Sequence, residues 1–115
     1  MSKILQRGDI IHIDLEPTLG KEQKGKRYAL VLTIKEFNRF GVVLIAPITT
    51  GGNFSRMNGF SVPLLSGTQI TGVVLSNQIR MVDYVERKYK IIESCPIEIL
   101  EDVLAKVQSL VDFDS

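Results

Sequence analysis

The 115-residue sequence has no tryptophan, one cysteine and one histidine. A lone thiol, Cys95, excludes an internal disulfide, and with His12 as the only imidazole there is no ligand set for a zinc site of the usual Cys/His kind. No apolar run approaches the roughly 18 residues of a membrane span. The start, MSKILQRGD, lacks the apolar core of a signal peptide. Charge of one sign is not in excess either. Fourteen Lys and Arg against thirteen Asp and Glu leave a net charge of +1, too little for a protein that coats long stretches of nucleic acid. A local basic site remains open. There is no G-x-S-x-G elbow, no Walker loop and no plausible Cys–His nucleophile pair. These absences predict a cytoplasmic protein with no membrane segment, no metal and no other cofactor.

What is present reads as one domain over 1–115, with 44% apolar and 23% charged residues, enough for a single core without staples. Asp9 to Leu15 alternates, placing Ile11, Ile13 and Leu15 on one face and Ile10, His12 and Asp14 on the other, a strand with one strongly buried face. Tyr28 to Thr33 is apolar on both faces and predicts a central strand. Lys35 to Phe40 fits one helical turn. Val42 to Ile48, Phe60 to Leu64 and Gly72 to Ser76 are further strands. Ile79 to Val82 continues pairing beyond a break near Asn77, and Lys90 to Ile92 adds a short edge. The one long helix comes last: Ile97, Leu100, Leu104, Val107 and Val111 recur at threes and fours, with Pro96 suited to the first helical position. The expected fold is mostly β with one C-terminal α-helix, a strongly curved antiparallel sheet or partial barrel.

The loops carry the chemistry. Residues 47–60, PITTGGNFSRMNGF, follow the most apolar run in the chain and exceed the two to five or so residues of a plain hairpin turn. The segment Lys21-Glu22-Gln23-Lys24-Gly25-Lys26-Arg27 sets one carboxylate among four cations, and Arg87-Lys88-Tyr89-Lys90 is a second basic cluster. The last third is acidic, with Glu93, Glu98, Glu101, Asp102, Asp112 and Asp114. Solvated turns would explain both basic clusters equally well. A site reading assigns Glu22 to proton transfer, because cations favour its ionised form while cover by a ligand raises its pKa. Arg27 offers a planar fork that matches a phosphate. Thr49 and Thr50 add hydroxyls and backbone N–H donors at the end of the third strand. Together these groups suit a phosphate that gains negative charge in a transition state. His12 reads as a surface residue of a strand and Cys95 as a packing residue.

The motifs R-G-D-I-I at the start, P-T-L-G-K-E-Q-K-G-K-R at 17–27, P-I-T-T-G-G-N-F-S-R at 47–56, G-F-S-V-P-L at 59–64 and G-V-V-L-S-N-Q-I-R-M-V-D at 72–83 resemble the MazF/PemK/Kid toxins, and within them the ChpB-type members. The resemblance spans nearly the whole chain in order and spacing. It implies an SH3-like barrel of the CcdB/MazF/PemK toxin fold with a C-terminal helix. It also implies a metal-free endoribonuclease that cuts single-stranded RNA, a homodimer, and inhibition by a cognate antitoxin protein with an acidic segment.

Carried over residue by residue, Glu22 matches the family's acid/base glutamate, Arg27 the arginine at the scissile phosphate, and Thr49 the hydroxyl residue after the third strand. Lys21, Lys24, Thr50, Gly51, Gly52, Asn53, Phe54, Arg56 and Phe60 would line the RNA groove, with Asn77 and Gln78 as base-contacting or structural residues. Kid-like members have histidine at the position of Lys21, and arginine and aspartate at those of Leu75 and Asn77, so their aspartate/arginine pair has no counterpart here. Two alternatives stand beside this reading. A CcdB-like gyrase poison shares the fold but needs a C-terminal Trp-Gly-Ile, whereas this chain ends Asp-Phe-Asp-Ser. A non-catalytic SH3-like module would bind RNA or protein and leave RNA intact.

Overall fold

Seven strands and two helices make up the computed structural model, which describes residues 3–15, 26–50, 59–65 and 67–112. The strands are β1 (Asp9–Asp14), β2 (Lys26–Val31), β3 (Val42–Thr49), β4 (Ser61–Pro63), β5 (Val73–Leu75), β6 (Arg80–Asp83) and β7 (Tyr89–Ser94); the helices are α1 (Lys35–Asn38) and α2 (Ile97–Leu110). All pairings are antiparallel, in the order β4-β5-β3-β2-β1-β7, with β6 also pairing β3. The predicted class, mostly β with one C-terminal helix, is the observed one.

β3 organises the sheet because it is long enough to serve two partners along one edge. Its first half pairs with β6 (Val42↔Asp83 through Ile45↔Arg80) and its end with β5 (Ile48↔Val74, Thr49↔Val73). A turn over Ser76–Gln78, closed by the Gln78 N–H donating to the Leu75 carbonyl at 3.1 Å, separates the two. This is the break the sequence placed near Asn77.

Alternation along the strands divides the apolar residues between two cores. Ile11, Ile13, Ala29, Val31, Val43, Ile45 and Val82 point into one, which Leu5 and Tyr84 help to close. Ile10, Leu30, Ala46, Ile48, Val62 and Val74 point the other way, under Leu100 and Val103 of α2. β6 and β7 flank the β3–β2–β1 triplet on opposite sides, yet only residues 84–88 join them. The sheet therefore curls around the first core until the rings of Tyr84 and Tyr89 meet edge to face, 5.5 Å apart. Buried Asn38 fastens this curl: its Nδ2 donates to the carbonyls of Leu5 (2.7 Å) and Thr33 (2.9 Å), and its own carbonyl accepts from Tyr84 Oη (2.9 Å).

Several expectations need correction. β1 keeps its strongly buried face at Ile11, Ile13 and Leu15, but Ile10 on the other face is also fully buried, under α2, beside half-buried His12 and Asp14. β7 is longer than the short edge expected, running to Ser94. Pro96 is the cap of α2 with extended backbone (ψ 142°), and the helix begins at Ile97. The buried stripe of α2 is centred on Leu100 and Val103. Ile97, its first residue, and Val111, its C-cap, are 57% and 74% exposed.

Candidate active site

The site begins with β-pairing register. Ile13 and Arg27 are direct partners on β1 and β2, so their side chains share a face. That face is the one burying Ile11, Ile13, Ala29 and Val31, which places Arg27 where the first core reaches solvent. The β2–β3 register pairs Tyr28 with Ile48. Continued by one residue, it sets Arg27 across from Thr49, one strand spacing away. Arg80 pairs with Ile45 as Val82 pairs with Val43, so Arg80 also lies on the inward face, at the first residue of β6. Gln78, the last residue of the Ser76–Gln78 turn, completes the polar wall.

These four residues, Arg27, Thr49, Gln78 and Arg80, line one cleft of about 280 Å³, with Leu15, Pro47 and Leu75 among its apolar walls. No carboxylate lines it among the described residues. Two guanidiniums and a hydroxyl beside these apolar side chains make a positive hollow. The Arg27 guanidinium has no hydrogen bond or ion pair with another described residue, so its fork is available to a ligand. The chemistry such a cleft supports is the binding of a phosphate and the stabilisation of added charge on its oxygens.

The Thr49 backbone is closely approached by Gly72. Gly72 has φ +148°, and a Cβ there would run into the Thr49 carbonyl oxygen and lie 3.2 Å from Ile48 Cγ2. Only glycine lets β5 approach the end of β3 this closely. Gly72→Ala should therefore displace Thr49, lowering stability by about 1–3 kcal/mol and catalytic rate at the same time. Thermal melting and single-turnover cleavage on one preparation would check it; a variant with wild-type melting and rate would refute this role of Gly72.

Of the residues expected at the site, the structure brings Arg27, Thr49 and Gln78 together. Thr50 is exposed just past Thr49, Asn77 is exposed on the turn, and half-buried Phe60 precedes β4; none of the three lines the cleft. Lys21, Glu22, Lys24, Gly51, Gly52, Asn53, Phe54 and Arg56 lie outside the described residues. Arg80 was missed, although its sequence signal existed: it stands two positions from buried Val82, so it is a charged residue on the inward face of a strand.

His12 and Cys95 are elsewhere. His12 alternates with Ile13 and so faces away from Arg27, its ring tilted 40° against that of Tyr28 with centroids 4.7 Å apart. A smaller hollow of about 150 Å³ beside it is lined by Asp14, Lys88 and Lys90, at the β1–β7 edge. Cys95 is buried under α2, and burial, with the nearby Glu93 charge, pushes its thiol up to about 11. A thiol so protonated is a poor nucleophile.

Known proteins match this chain over almost all of its length. It is 46% identical over 109 residues to the endoribonuclease toxin ChpB of Escherichia coli K12, covering 93% of this chain and 94% of that one. It is 39% identical over 108 residues to the Escherichia coli endoribonuclease PemK, covering 92% and 81%. The crystal structure of MazF from Deinococcus radiodurans superposes with a TM-score of 0.81 at 28% identity, covering 96% of this chain and 98% of that one. The pattern of PemK-like, MazF-like toxins of type II toxin–antitoxin systems matches residues 6–111, and the chain belongs to that family.

Proposed function

We propose that this protein is the toxin of a type II toxin–antitoxin system, a metal-independent, sequence-specific endoribonuclease that cleaves single-stranded RNA, including mRNA, and so arrests translation and growth. The observation that carries the reading is the pairing of Arg27 and Thr49 in one positive cleft, in a chain of this family. The RNA strand would enter along the 47–60 segment, where bases stack on aromatic side chains and cations meet phosphates. Glu22 takes the proton of the 2′-hydroxyl beside the scissile bond. The 2′-oxygen attacks phosphorus, and Arg27, with Thr49, stabilises the charge on the crowded phosphorane. The bond to the 5′-oxygen breaks as that oxygen takes a proton. The products are a 2′,3′-cyclic phosphate, or its hydrolysis product, and a 5′-hydroxyl. Positive charge comes from the guanidinium, so the step needs no metal.

Cleavage of a long defined RNA is therefore expected to proceed fully in excess EDTA, with discrete new 5′ ends on mapping. Activity that disappears with chelator and returns with Mg²⁺ would contradict the mechanism. RNA that is bound yet left intact would instead favour the non-catalytic module.

The partners follow from the same surface. The reading is of a cytoplasmic homodimer whose grooves contain the 47–60 and Lys21–Arg27 segments. Its antitoxin would carry an acidic, partly disordered segment that orders on binding and competes with RNA. Its carboxylates would occupy phosphate positions at Lys24, Arg27 and Arg56, while apolar anchors cover Phe54 and Phe60. Charge reversal at Arg56 should weaken RNA and antitoxin together, and both associations should weaken with salt. Titration of the variant with each ligand over a salt series checks this. An antitoxin whose affinity ignores both Arg56 and salt would contradict it.

A further inference from the structure

We propose that Arg80 is a second phosphate-gripping residue of the cleft, holding the RNA phosphate next to the one that is cleaved. The inference rests on the endoribonuclease reading of the cleft and deepens it.

Its position is the first reason. A strand residue that faces a core is ordinarily apolar, and Val82, two positions along the same face, is 3% exposed. Arg80 occupies the equivalent place where the core ends and the cleft begins. The second reason is what its guanidinium does not do. Two other described arginines are engaged with backbone carbonyls: Arg7 Nε donates to the Leu32 carbonyl at 2.9 Å, and Arg87 Nη1 to the Asp14 carbonyl at 3.0 Å; the exposed Arg39 side chain is unbonded too but lies outside the cleft. Arg27 and Arg80 have no such bond and no acidic partner among the described residues, though both line the same cleft. Two unpaired guanidiniums on one cleft leave two positive charges free to meet anionic groups of a ligand.

Geometry then separates their roles. Arg27 stands across from Thr49 and Arg80 across from Ile45, four residues back along β3. At about 3.3 Å per residue, the two side chains originate about 13 Å apart in the strand direction. They enter the cleft from opposite ends rather than as one clamp. That arrangement fits two successive phosphates of an extended strand, with Gln78 between them on the wall. Arg27, beside the Thr49 hydroxyl, takes the reacting phosphate; Arg80 takes its neighbour and fixes the strand's register.

The test uses the full chain and an RNA containing the mapped cleavage site, made non-cleavable by a single 2′-deoxy nucleotide. Affinity is measured over a salt series for wild type, Arg80→Gln and Arg80→Lys, beside single-turnover cleavage of the all-RNA version and thermal melting. Arg80→Gln is expected to weaken binding about 10-fold, the scale of one charge-assisted hydrogen-bonding group. The slope of log affinity against log salt should fall by about 0.7, the loss of one phosphate contact on a single strand. The half-saturating RNA concentration should rise more than the maximal rate falls, and melting should not change. Arg80→Lys should restore the slope while recovering only part of the affinity, since an ammonium lacks the fork. An unchanged slope in Arg80→Gln, or a loss confined to the maximal rate, would overturn the proposal. If Arg27→Ala is inactive while Arg80→Gln behaves as wild type, only the role of Arg80 fails; if Arg27→Ala cleaves normally, the reading of the whole cleft fails with it.

Discussion

Arg27→Ala is expected to lower single-turnover RNA cleavage by about 100-fold or more, which is the cost of removing one donor aimed at transition-state charge, about 2.7–4 kcal/mol. The reasoning is local. Arg27 stands on β2, paired with Ile13, so a rigid sheet positions its fork. Its side chain is exposed toward the cleft and has no hydrogen bond or ion pair with another described residue. Removing it therefore leaves no buried group unsatisfied, and melting should be unaffected. Loss of rate without loss of fold separates a chemical role from a structural one. Arg27→Lys keeps the charge but not the planar pair of donors, and should fall between alanine and wild type. Rates near wild type for the alanine variant would move catalysis away from this cleft.

Glu22→Gln is expected to slow cleavage by a similar factor, about 100-fold or more, if the carboxylate is the general base. Glutamine preserves size and one acceptor oxygen but cannot take the proton. The pH profile gives the sharper reading. A general base works deprotonated, so wild-type kcat/KM should rise with pH through the pKa of Glu22 and then level. The glutamine variant should lose that rising limb while binding non-cleavable RNA nearly as well as wild type. A variant that keeps the limb assigns the proton to another group. His12 is poorly placed to be that group, since it faces the opposite side of the sheet from Arg27 and packs against Tyr28.

Much of the fold was legible because strand periodicity is a local signal. Alternation at Asp9–Leu15 and two-faced apolarity at Tyr28–Thr33 led directly to β1 and to a central β2 between β1 and β3. What periodicity could not show was which element covers which face. Ile10 looked like a member of a polar face because His12 and Asp14 share it; α2 buries it from a distant part of the chain. The apolar ends of α2 failed for the converse reason, since an amphipathic stripe does not show which of its members find cover. β7 outran its apolar centre because pairing with β1, from Ile13↔Tyr89 to Asp9↔Ser94, stabilises polar residues at both ends. At the site, Arg27 and Thr49 were readable from motif and strand position. The inward face of Arg80 was readable in the same way, but not its place in the cleft, which depends on β6 joining the same edge of β3 as β5, a non-local pairing.

The central claim is that a 2′-hydroxyl attacks a phosphate held in the Arg27–Thr49 cleft. The most direct measurement replaces the single nucleotide 5′ to the mapped cleavage point by its 2′-deoxy counterpart in an otherwise all-RNA strand, and maps the products. The expected result is tight binding with no cleavage at that point, while the unsubstituted strand yields a 2′,3′-cyclic phosphate and a 5′-hydroxyl. Cleavage of the substituted strand at the same point, leaving a 5′-phosphate, would mean that water rather than the 2′-oxygen is the nucleophile, and would contradict the mechanism.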